Sequence, residues 1–206
     1  MFYRTDDNQH GLPHDPFKAI VTPRPIGWIS TRSKDGAVNL SPYSYFNAVS
    51  DQPKLVMFSS AGMKDSAAFA IESGEFVANL ATMALANAVV RSSAPAPRGV
   101  SEFAIAGLTE ADCQLVAAPR VAESPAVLEC KVTEWFWPKG LHGQPSENVM
   151  VIGEVVGIHI DPSILVDGMI DTALAQPLSR LGYLDYACAG PVFQMPRPKR
   201  PDASDL

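Results

Sequence analysis

One stretch decides the fold class: Arg24-Pro-Ile-Gly-Trp-Ile-Ser-Thr-Arg32, then Ser33-Lys-Asp-Gly36, then Asn39-Leu-Ser-Pro-Tyr-Ser-Tyr45. The first part reads as a strand that begins after a proline-rich turn. The second part consists of turn-forming residues, and Gly36 can adopt the positive φ that a tight turn needs. The third part reads as the returning strand, interrupted by Pro42. The stretch therefore predicts a β-hairpin early in the chain.

Four further strand patterns follow this hairpin. They are Leu55–Ser60, Phe76–Leu80, Ala126–Thr133 and Val149–Ile160, of which the last is the longest. Val149–Ile160 is apolar on both faces, so we expect both faces to be covered, by a helix or by a second subunit.

Helical patterns are few and short. One covers Ser66–Ser73, with Asp65 as a candidate N-cap and Gly74 just after its end. A second begins at Thr82 and runs to about residue 90, before a proline-rich loop over 92–99. Strands and helices do not alternate regularly, which favours a mainly β fold: an antiparallel barrel with short helical insertions.

Composition limits the possible functions. The 206 residues include 47% hydrophobic and 18% charged residues, with a formal net charge of −6. Such a chain can bury a full core, and its acidity argues against nucleic-acid binding and against a polybasic membrane anchor. We expect one domain over 1–206, with extended arms at 1–16 and 191–206.

The termini, cysteines and histidines exclude other classes. The first ten residues are polar and do not form a signal peptide, and no apolar run is long enough to cross a membrane. Three widely spaced cysteines and four unpaired histidines give no disulfide framework and no metal site. The expectation is a cytoplasmic protein without a protein-held metal.

Two segments could hold a ligand. The segment 41–50 has aromatic rings beside small polar groups, a mixture that suits a flat heteroaromatic ring, although it could equally be a strand end that fills the core. The segment 59–66 places hydroxyls and Lys64 at a helix start and could hold a phosphate. Its Asp65 would oppose a phosphate, and an ordinary capped helix is the alternative. The spacing excludes a P-loop. Together the two segments would suit a phosphorylated aromatic cofactor.

The order of these motifs resembles the flavin reductase-like family of FMN-binding split barrels. The resemblance rests on the stretch 24–31, Asp35-Gly, the run 39–50, Pro53-Lys-Leu-Val-Met-Phe-Ser, Lys64-Asp-Ser, Gly74-Glu-Phe-Val-Ala-Asn-Leu, Ser101-Glu-Phe-Ala-Ile-Ala-Gly-Leu and Ile152-Gly-Glu-Val-Val-Gly. It covers about residues 17 to 190, and the flavoredoxin type and the monooxygenase flavin-reductase-component type are the most similar branches.

The resemblance implies a homodimer with one FMN per subunit. By matching position, the ring would lie against Tyr43, Ser44, Tyr45, Phe46 and Asn47. The phosphate would be held by Ser59, Ser60, Lys64 and Ser66, and Asn79 and Leu80 would lie near the flavin. The cofactor performs the chemistry, so we assign no catalytic side chain.

The function that the resemblance implies is an FMN-dependent oxidoreductase, an NAD(P)H:flavin oxidoreductase that transfers hydride from nicotinamide to flavin N5. Its electrons would pass to a monooxygenase or another acceptor. The Gly-Asp-His signature of some NADH-dependent relatives is absent here, where the chain reads Ser146-Glu-Asn-Val-Met. The alternatives are therefore an FMN-holding electron carrier without a nicotinamide site and a non-enzymatic split-barrel binding module. The choice between NADH and NADPH stays open, as does whether FMN is a bound cofactor or a diffusing substrate.

Three residues are candidates for substrate contact. Arg98 in the proline-rich loop could meet an anionic substrate, His159 could touch nicotinamide, and Arg180 could reach a phosphate or carboxylate. Each has a structural alternative: a solvated loop arginine, a hydrogen-bonded strand histidine and an ion-paired arginine.

Overall fold

Strands carry most of the regular structure in residues 1–97 and 100–198, the part of the chain that this computed structural model describes. In chain order they are β1 (Arg24–Pro25), β2 (Gly27–Arg32), β3 (Val38–Tyr43), β4 (Phe46–Asp51), β5 (Lys54–Ala61), β6 (Glu75–Leu80), β7 (Glu110–Ala111), β8 (Arg120–Val121), β9 (Ala126–Phe136), β10 (Asn148–Ile160), β11 (Leu165–Val166), β12 (Met169–Ile170), β13 (Leu178–Arg180) and β14 (Tyr186–Cys188). The helices are α1 (Phe17–Ile20), α2 (Asp65–Ser73), α3 (Ala86–Arg91), α4 (Glu102–Ala106) and α5 (Thr172–Ala175), with 3-10 turns at Met83–Leu85 and Pro162–Ile164.

Seven strands form one antiparallel sheet in the order β3-β2-β6-β9-β10-β5-β4. The strands β3 and β4 lie at opposite edges of this sheet, yet only Ser44 and Tyr45 separate them in the chain. Because two residues span only about 10 Å, the sheet must curl until its edges nearly meet. The result is a split barrel, which confirms the mainly β fold class, and the split runs past Ser44 and Tyr45.

A second, three-stranded sheet joins the two halves of the chain. Its order is β1-β13-β14, and Arg24 pairs with Arg180 across it. This pairing places the segment 180–186 beside the entrance to β2, a long-range contact that the sequence did not predict.

The core lies inside the curled sheet and under its helices. One buried cluster includes Phe58, Phe76 and Val151, with Ala67 and Ala70 of α2 packed against it. A second cluster is built around Trp28, Leu40 and Phe103 below α3 and α4. Full burial of each such side chain stabilises the fold by about 1.5–3 kcal/mol.

Several local predictions are confirmed. The hairpin β2–β3 forms around a turn in which Gly36 has φ 92°, and α2 ends at Gly74 with φ 77°, whose N–H bonds to Ala70 O. Strand β10 is the longest, with 13 residues. The arm expected over 191–206 stays a prediction: residues 191 to 198 are exposed without regular structure, and residues 199 to 206 lie outside the described residues.

Other local predictions are wrong. Asp65 is the first residue of α2 rather than its N-cap, because Lys64 holds the extended cap conformation. Thr82 makes no capping hydrogen bond, and a 3-10 turn precedes α3. The strand expected over 39–45 stops at Tyr43, since the chain must bend there to cross from one sheet edge to the other.

Strand β10 is covered only in part by this chain. Its first half has one buried face, but Val156, Ile158 and Ile160 near its end are exposed. The sequence predicted that both faces of this strand are covered, but no described residue of this chain covers these three side chains.

The three cysteines, all within the described residues, are free thiols. No helix in residues 1–97 and 100–198 is long and apolar enough to cross a membrane.

Candidate functional site

A groove follows the split of the barrel. It consists of two adjoining cavities of about 480 and 510 Å³, which share Ser44, Tyr45 and Ser59. The bend between β3 and β4 thus forms the middle of the groove, and the two ends differ in chemistry.

One end of the groove is polar. Ser41, Ser93, Lys64 and Asn148 line it together with Ser59. Asn148 Nδ2 donates a hydrogen bond of 3.1 Å to Ser59 Oγ. Lys64 is exposed and directly precedes α2, a helix of nine residues whose first N–H groups favour an anion. This end combines a cation with hydroxyl and amide donors, the donor set that a phosphate requires.

The other end of the groove is mostly apolar. Phe46, Met57, Met150 and Ile20 of α1 line it, and Asn47 supplies an amide. Asn47 Oδ1 accepts a bond of 2.9 Å from Ala48 N, and the exposed Asn47 Nδ2 has no hydrogen-bond partner among the described residues. Flat apolar walls with one free donor match the needs of a heteroaromatic ring.

Strand β5 assigns its residues to two faces by simple alternation. Met57 and Ser59 face the groove, whereas Val56, Phe58 and Ser60 are buried in the barrel. Ser60 was predicted to hold the phosphate beside Ser59, but its hydroxyl lies inside the barrel near Tyr43. The alternation of the apolar run 55–58 is the sequence signal that separates the two serines.

Tyr43 lines the polar end and also packs into the barrel. Its ring lies 5.1 Å from the ring of Phe58. Burial raises the pKa of its phenol, while the hydroxyls of Ser66, Ser60 and Ser41 act in the opposite direction more weakly. The phenol therefore stays protonated at neutral pH and can donate a hydrogen bond.

None of Ser66, Asn79 and Leu80 lines the two cavities of the groove, but Ser66 lines, together with Lys64, a smaller cavity beside the polar end. Ser66 is buried and donates its hydroxyl to Asn39 Oδ1. Asn79 Nδ2 donates to Trp28 O at 2.9 Å, and its Oδ1 accepts from Val121 N at 2.8 Å. Leu80 pairs with Gly27 at the end of β6. These contacts hold the strands that form the groove.

Glu102 was not predicted and lies beside the polar end. A third cavity of about 320 Å³, lined by Lys64, Tyr43 and Glu102, adjoins the groove there. Burial raises the pKa of this carboxyl, although it accepts a bond of 3.0 Å from Leu40 N. Glu102 is the first residue of α4, where a carboxylate is ordinary, so its residue type carried no local sign of a site. Lys18, Ser93, Asn148, Met57 and Met150 were also missed, since loops and separate strands bring them together.

The three residues predicted to contact a substrate lie in different places. Arg180 lines a further cavity of about 400 Å³ that meets the groove at Ser44. His159 lies nine residues beyond Met150 on β10, up to about 30 Å away along the strand, and contacts Glu129 Oε1. Arg98 lies outside the described residues.

Around His159 three possible ligand atoms meet. Those of Cys113, Glu129 and His159 lie within 4.8 Å of one another. The Glu129 carboxylate already accepts from Gln114 N at 2.8 Å and from Leu115 N at 2.6 Å. Burial raises the pKa of Glu129, but these two bonds and His159 outweigh it and hold that pKa below its usual value. Burial and Glu129 raise the pKa of Cys113 to about 12. Contacts within the protein explain why these three side chains lie together.

A curled antiparallel sheet with such a groove along its split defines a split-barrel protein suited to a flat, phosphorylated ligand. The family model for the flavin reductase like domain matches residues 20–173. The chain belongs to the flavin reductase-like family.

Known proteins agree with this assignment. An uncharacterized protein from Halalkalibacterium halodurans is 38% identical over 183 residues, which are 86% of this chain and 87% of that protein. The crystal structure of nitrilotriacetate monooxygenase component B from Bacillus cereus is similar with a TM-score of 0.86 and 29% identity, covering 95% of this chain and 98% of that one. Flavoredoxin from Desulfovibrio vulgaris (Miyazaki F) shares the fold with a TM-score of 0.75 and 21% identity, over 85% of this chain and 91% of its own.

Proposed function

We propose that the protein is an FMN-dependent oxidoreductase, an NAD(P)H:flavin oxidoreductase that serves an electron acceptor or a monooxygenase partner. One observation carries the proposal: the groove has phosphate-binding chemistry at one end and ring-binding chemistry at the other. Membership of the flavin reductase-like family supports it. When bound, FMN supplies the redox chemistry.

The chain's own residues bind and orient this cofactor. Lys64 and Ser59 hold the phosphate, and the first N–H groups of α2 add their dipole. Ser44, Tyr45 and the apolar wall around Met57 exclude water from the ring. Asn47 Nδ2 donates to a polar ring edge.

In this proposal the remaining predicted residues shape the groove. Ser60 and Tyr43 form the floor below the groove, Ser66 fixes Asn39, and Asn79 fixes β2 against β8. Leu80 packs at the end of β6. Their substitution would act on FMN through the shape of the groove.

A homodimer is part of the proposal. Val156, Ile158 and Ile160 lie two residues apart along the end of β10 and are 38%, 52% and 43% exposed. Neighbouring exposed apolar side chains on one strand are typical of a covered surface. A second copy of the chain would supply the cover that Val149–Ile160 was expected to have.

The second candidate is an FMN-holding electron carrier without a nicotinamide site. The fold shared with flavoredoxin is compatible with it, and the chain lacks the Gly-Asp-His signature. A binding module without redox activity is the third reading, and the retained Lys64 and Ser59 argue against it.

One experiment separates the three. The FMN-loaded protein is mixed anaerobically with NADH or NADPH while the visible flavin absorption is followed. Bleaching within seconds is expected for the reductase. Bands that persist until dithionite is added would replace it with the carrier, and failure to bind FMN at all would overturn both. Lys64→Gln should bind FMN more weakly, whereas Lys34→Gln, an exposed lysine in the β2–β3 turn, serves as the matched control.

A further inference from the structure

A cationic pocket adjoins the groove. The cavity of about 400 Å³ is lined by Asp15, Lys18, Arg24, Ser44, Arg180 and Tyr183. Three cations thus face one carboxylate, in a chain whose formal net charge is −6. Asp15 Oδ1 is already engaged by Phe17 N at 2.8 Å. Within residues 1–97 and 100–198, none of the three cations has an ion-pair partner.

Arg24 is the buried centre of this pocket. Its side chain bonds only to backbone carbonyls: Nη1 donates to Lys18 O and Val21 O, and Nη2 donates to Leu181 O at 2.9 Å. The residue is 6% exposed, and its Nε is buried without a hydrogen-bond partner among the described residues. A buried guanidinium without a counter-ion is costly, and an anion in the pocket would offset that cost.

The pocket walls are held in place. Arg24 ties α1 to the segment 180–183, and a methyl group at Gly182 would lie 3.0 Å from Ala19 Cα. Arg180 donates to Tyr183 O and to Tyr186 Oη, and its guanidinium lies 4.5 Å from the Tyr186 ring centroid. Pre-organised arginines of this kind suit phosphate and carboxylate groups.

The pocket is distinct from the proposed phosphate seat of FMN. It meets the groove at Ser44 and Lys18 and includes neither Lys64 nor Ser59. It also shares Arg24 with the apolar end, where the ring of the cofactor is proposed to lie. A molecule could therefore occupy both the pocket and the space beside that ring.

We propose that this pocket binds the anionic group, a phosphate or a carboxylate, of the second substrate that exchanges electrons with the bound flavin. This assignment rests on the proposed function. Lys18 and Arg180 are specificity-determining residues for that anionic group, and Arg24 both builds the pocket and supplies its central charge.

The test begins with FMN itself. Calorimetric titration of FMN into the wild type and Arg180→Gln should give affinities that agree within about twofold, since Arg180 lines neither cavity of the groove. If FMN does not bind the wild type, the proposed function fails. The anion titrations below then use the flavin-free protein and still decide the pocket.

The FMN-saturated protein is next titrated with sodium pyrophosphate and, separately, with benzoate. We expect saturable binding of at least one anion, weakened about tenfold or more by Lys18→Gln and by Arg180→Gln, the effect of losing one charge-assisted hydrogen bond. Stronger binding of pyrophosphate would identify a phosphate, and stronger binding of benzoate a carboxylate. Lys34→Gln should leave both affinities unchanged.

Three results would overturn the proposal that the cationic pocket binds an anion. The proposal fails if neither anion binds saturably, or if Lys34→Gln weakens binding as much as Lys18→Gln does. It also fails if both pocket variants bind like the wild type. Because Arg180 holds Tyr183, its variant could disturb the loop; Arg180→Lys and the exposed Lys18→Gln carry the test in that case.

Discussion

Gly27 lies directly against the ring of Phe46. A methyl group on Gly27 would be 2.5 Å from Phe46 Cγ and 2.9 Å from Phe46 Cβ, which is too close for non-bonded carbon atoms. Phe46 begins β4 and forms part of the apolar end of the groove. Glycine at position 27 therefore allows β2, the strand next to one edge of the sheet, to approach β4 at the other edge, and it sets the position of one groove wall.

Gly27→Ala should displace Phe46. We expect a loss of about 1–3 kcal/mol in the free energy of unfolding, as for overpacked sites, together with weaker FMN binding. Urea denaturation and fluorescence titration with FMN measure the two effects. Gly190→Ala is the matched control, because a methyl group there meets nothing within 4 Å. Equal stability and affinity in both variants would show that Phe46 moves aside freely.

Lys64→Ala should weaken FMN binding by about 1.5–3 kcal/mol, since it removes a charge-assisted hydrogen bond to the phosphate. Combined with Ser66→Ala, the loss should reach about 2–4 kcal/mol, because Ser66 fixes Asn39 beside the same seat. Isothermal titration with FMN measures both. An unchanged affinity for FMN, together with an unchanged affinity for riboflavin, would place the phosphate elsewhere.

Asn79→Ala should mainly lower the stability of the folded protein, and its effect on FMN binding should be secondary. The change removes the acceptor of Val121 N and the donor to Trp28 O, and it leaves both groups buried. We expect the free energy of unfolding to fall by about 2–6 kcal/mol, from two groups at about 1–3 kcal/mol each. Urea unfolding of the flavin-free protein tests this. A variant as stable as the wild type that binds FMN poorly would instead support direct contact with the flavin.

Glu129 should make stability depend on pH. Its pKa is lower in the folded than in the unfolded chain, so its contribution is complete above the unfolded value of about 4.3 and is lost as the pH falls through the folded value. Glu129→Gln should therefore destabilise the protein by about 1–3 kcal/mol at pH 7, and by less under acid conditions.

Urea midpoints at pH 7 and at pH 3.5 measure this difference. Glu134→Gln, on the exposed part of the same strand, is the control and should match the wild type at both values. A constant deficit of the Glu129 variant across the pH range would mean that its shape, and not its charge, is what stabilises the fold.

Local patterns predicted the elements whose conformation depends on nearby residues. The hairpin follows from the turn residues 33–36. The end of α2 follows from Gly74, because a glycine can adopt a positive φ whatever the distant residues are. The separate faces of Ser59 and Ser60 were also available in the sequence, since alternation along β5 buries every second residue. The segments 41–50 and 59–66, which line the groove, were singled out because their residue types differ from those of an ordinary strand.

Local patterns failed where distant segments decide the structure. The run 39–45 is strand-like throughout, and nothing near it shows that the sheet closes at residues 44 and 45. Arg180 reaches the pocket through the pairing of β13 with β1, which joins residues more than 150 positions apart. Asn148 and Ser93 enter the polar end in the same way, from a strand and a loop without a ligand-binding pattern.

The sequence by itself determined the mainly β class, the hairpin and the two segments that supply the groove, because propensity, turn chemistry and alternation act within a few residues. Only the tertiary structure decided where the groove lies and which side chains share it. Both depend on the curl of the sheet, which brings β3 and β4 together, and on the β1–β13 pairing, which brings Arg24 and Arg180 together beside Ser44. Curl and long-range pairing arise from packing of the whole core, and no short stretch of residues encodes them.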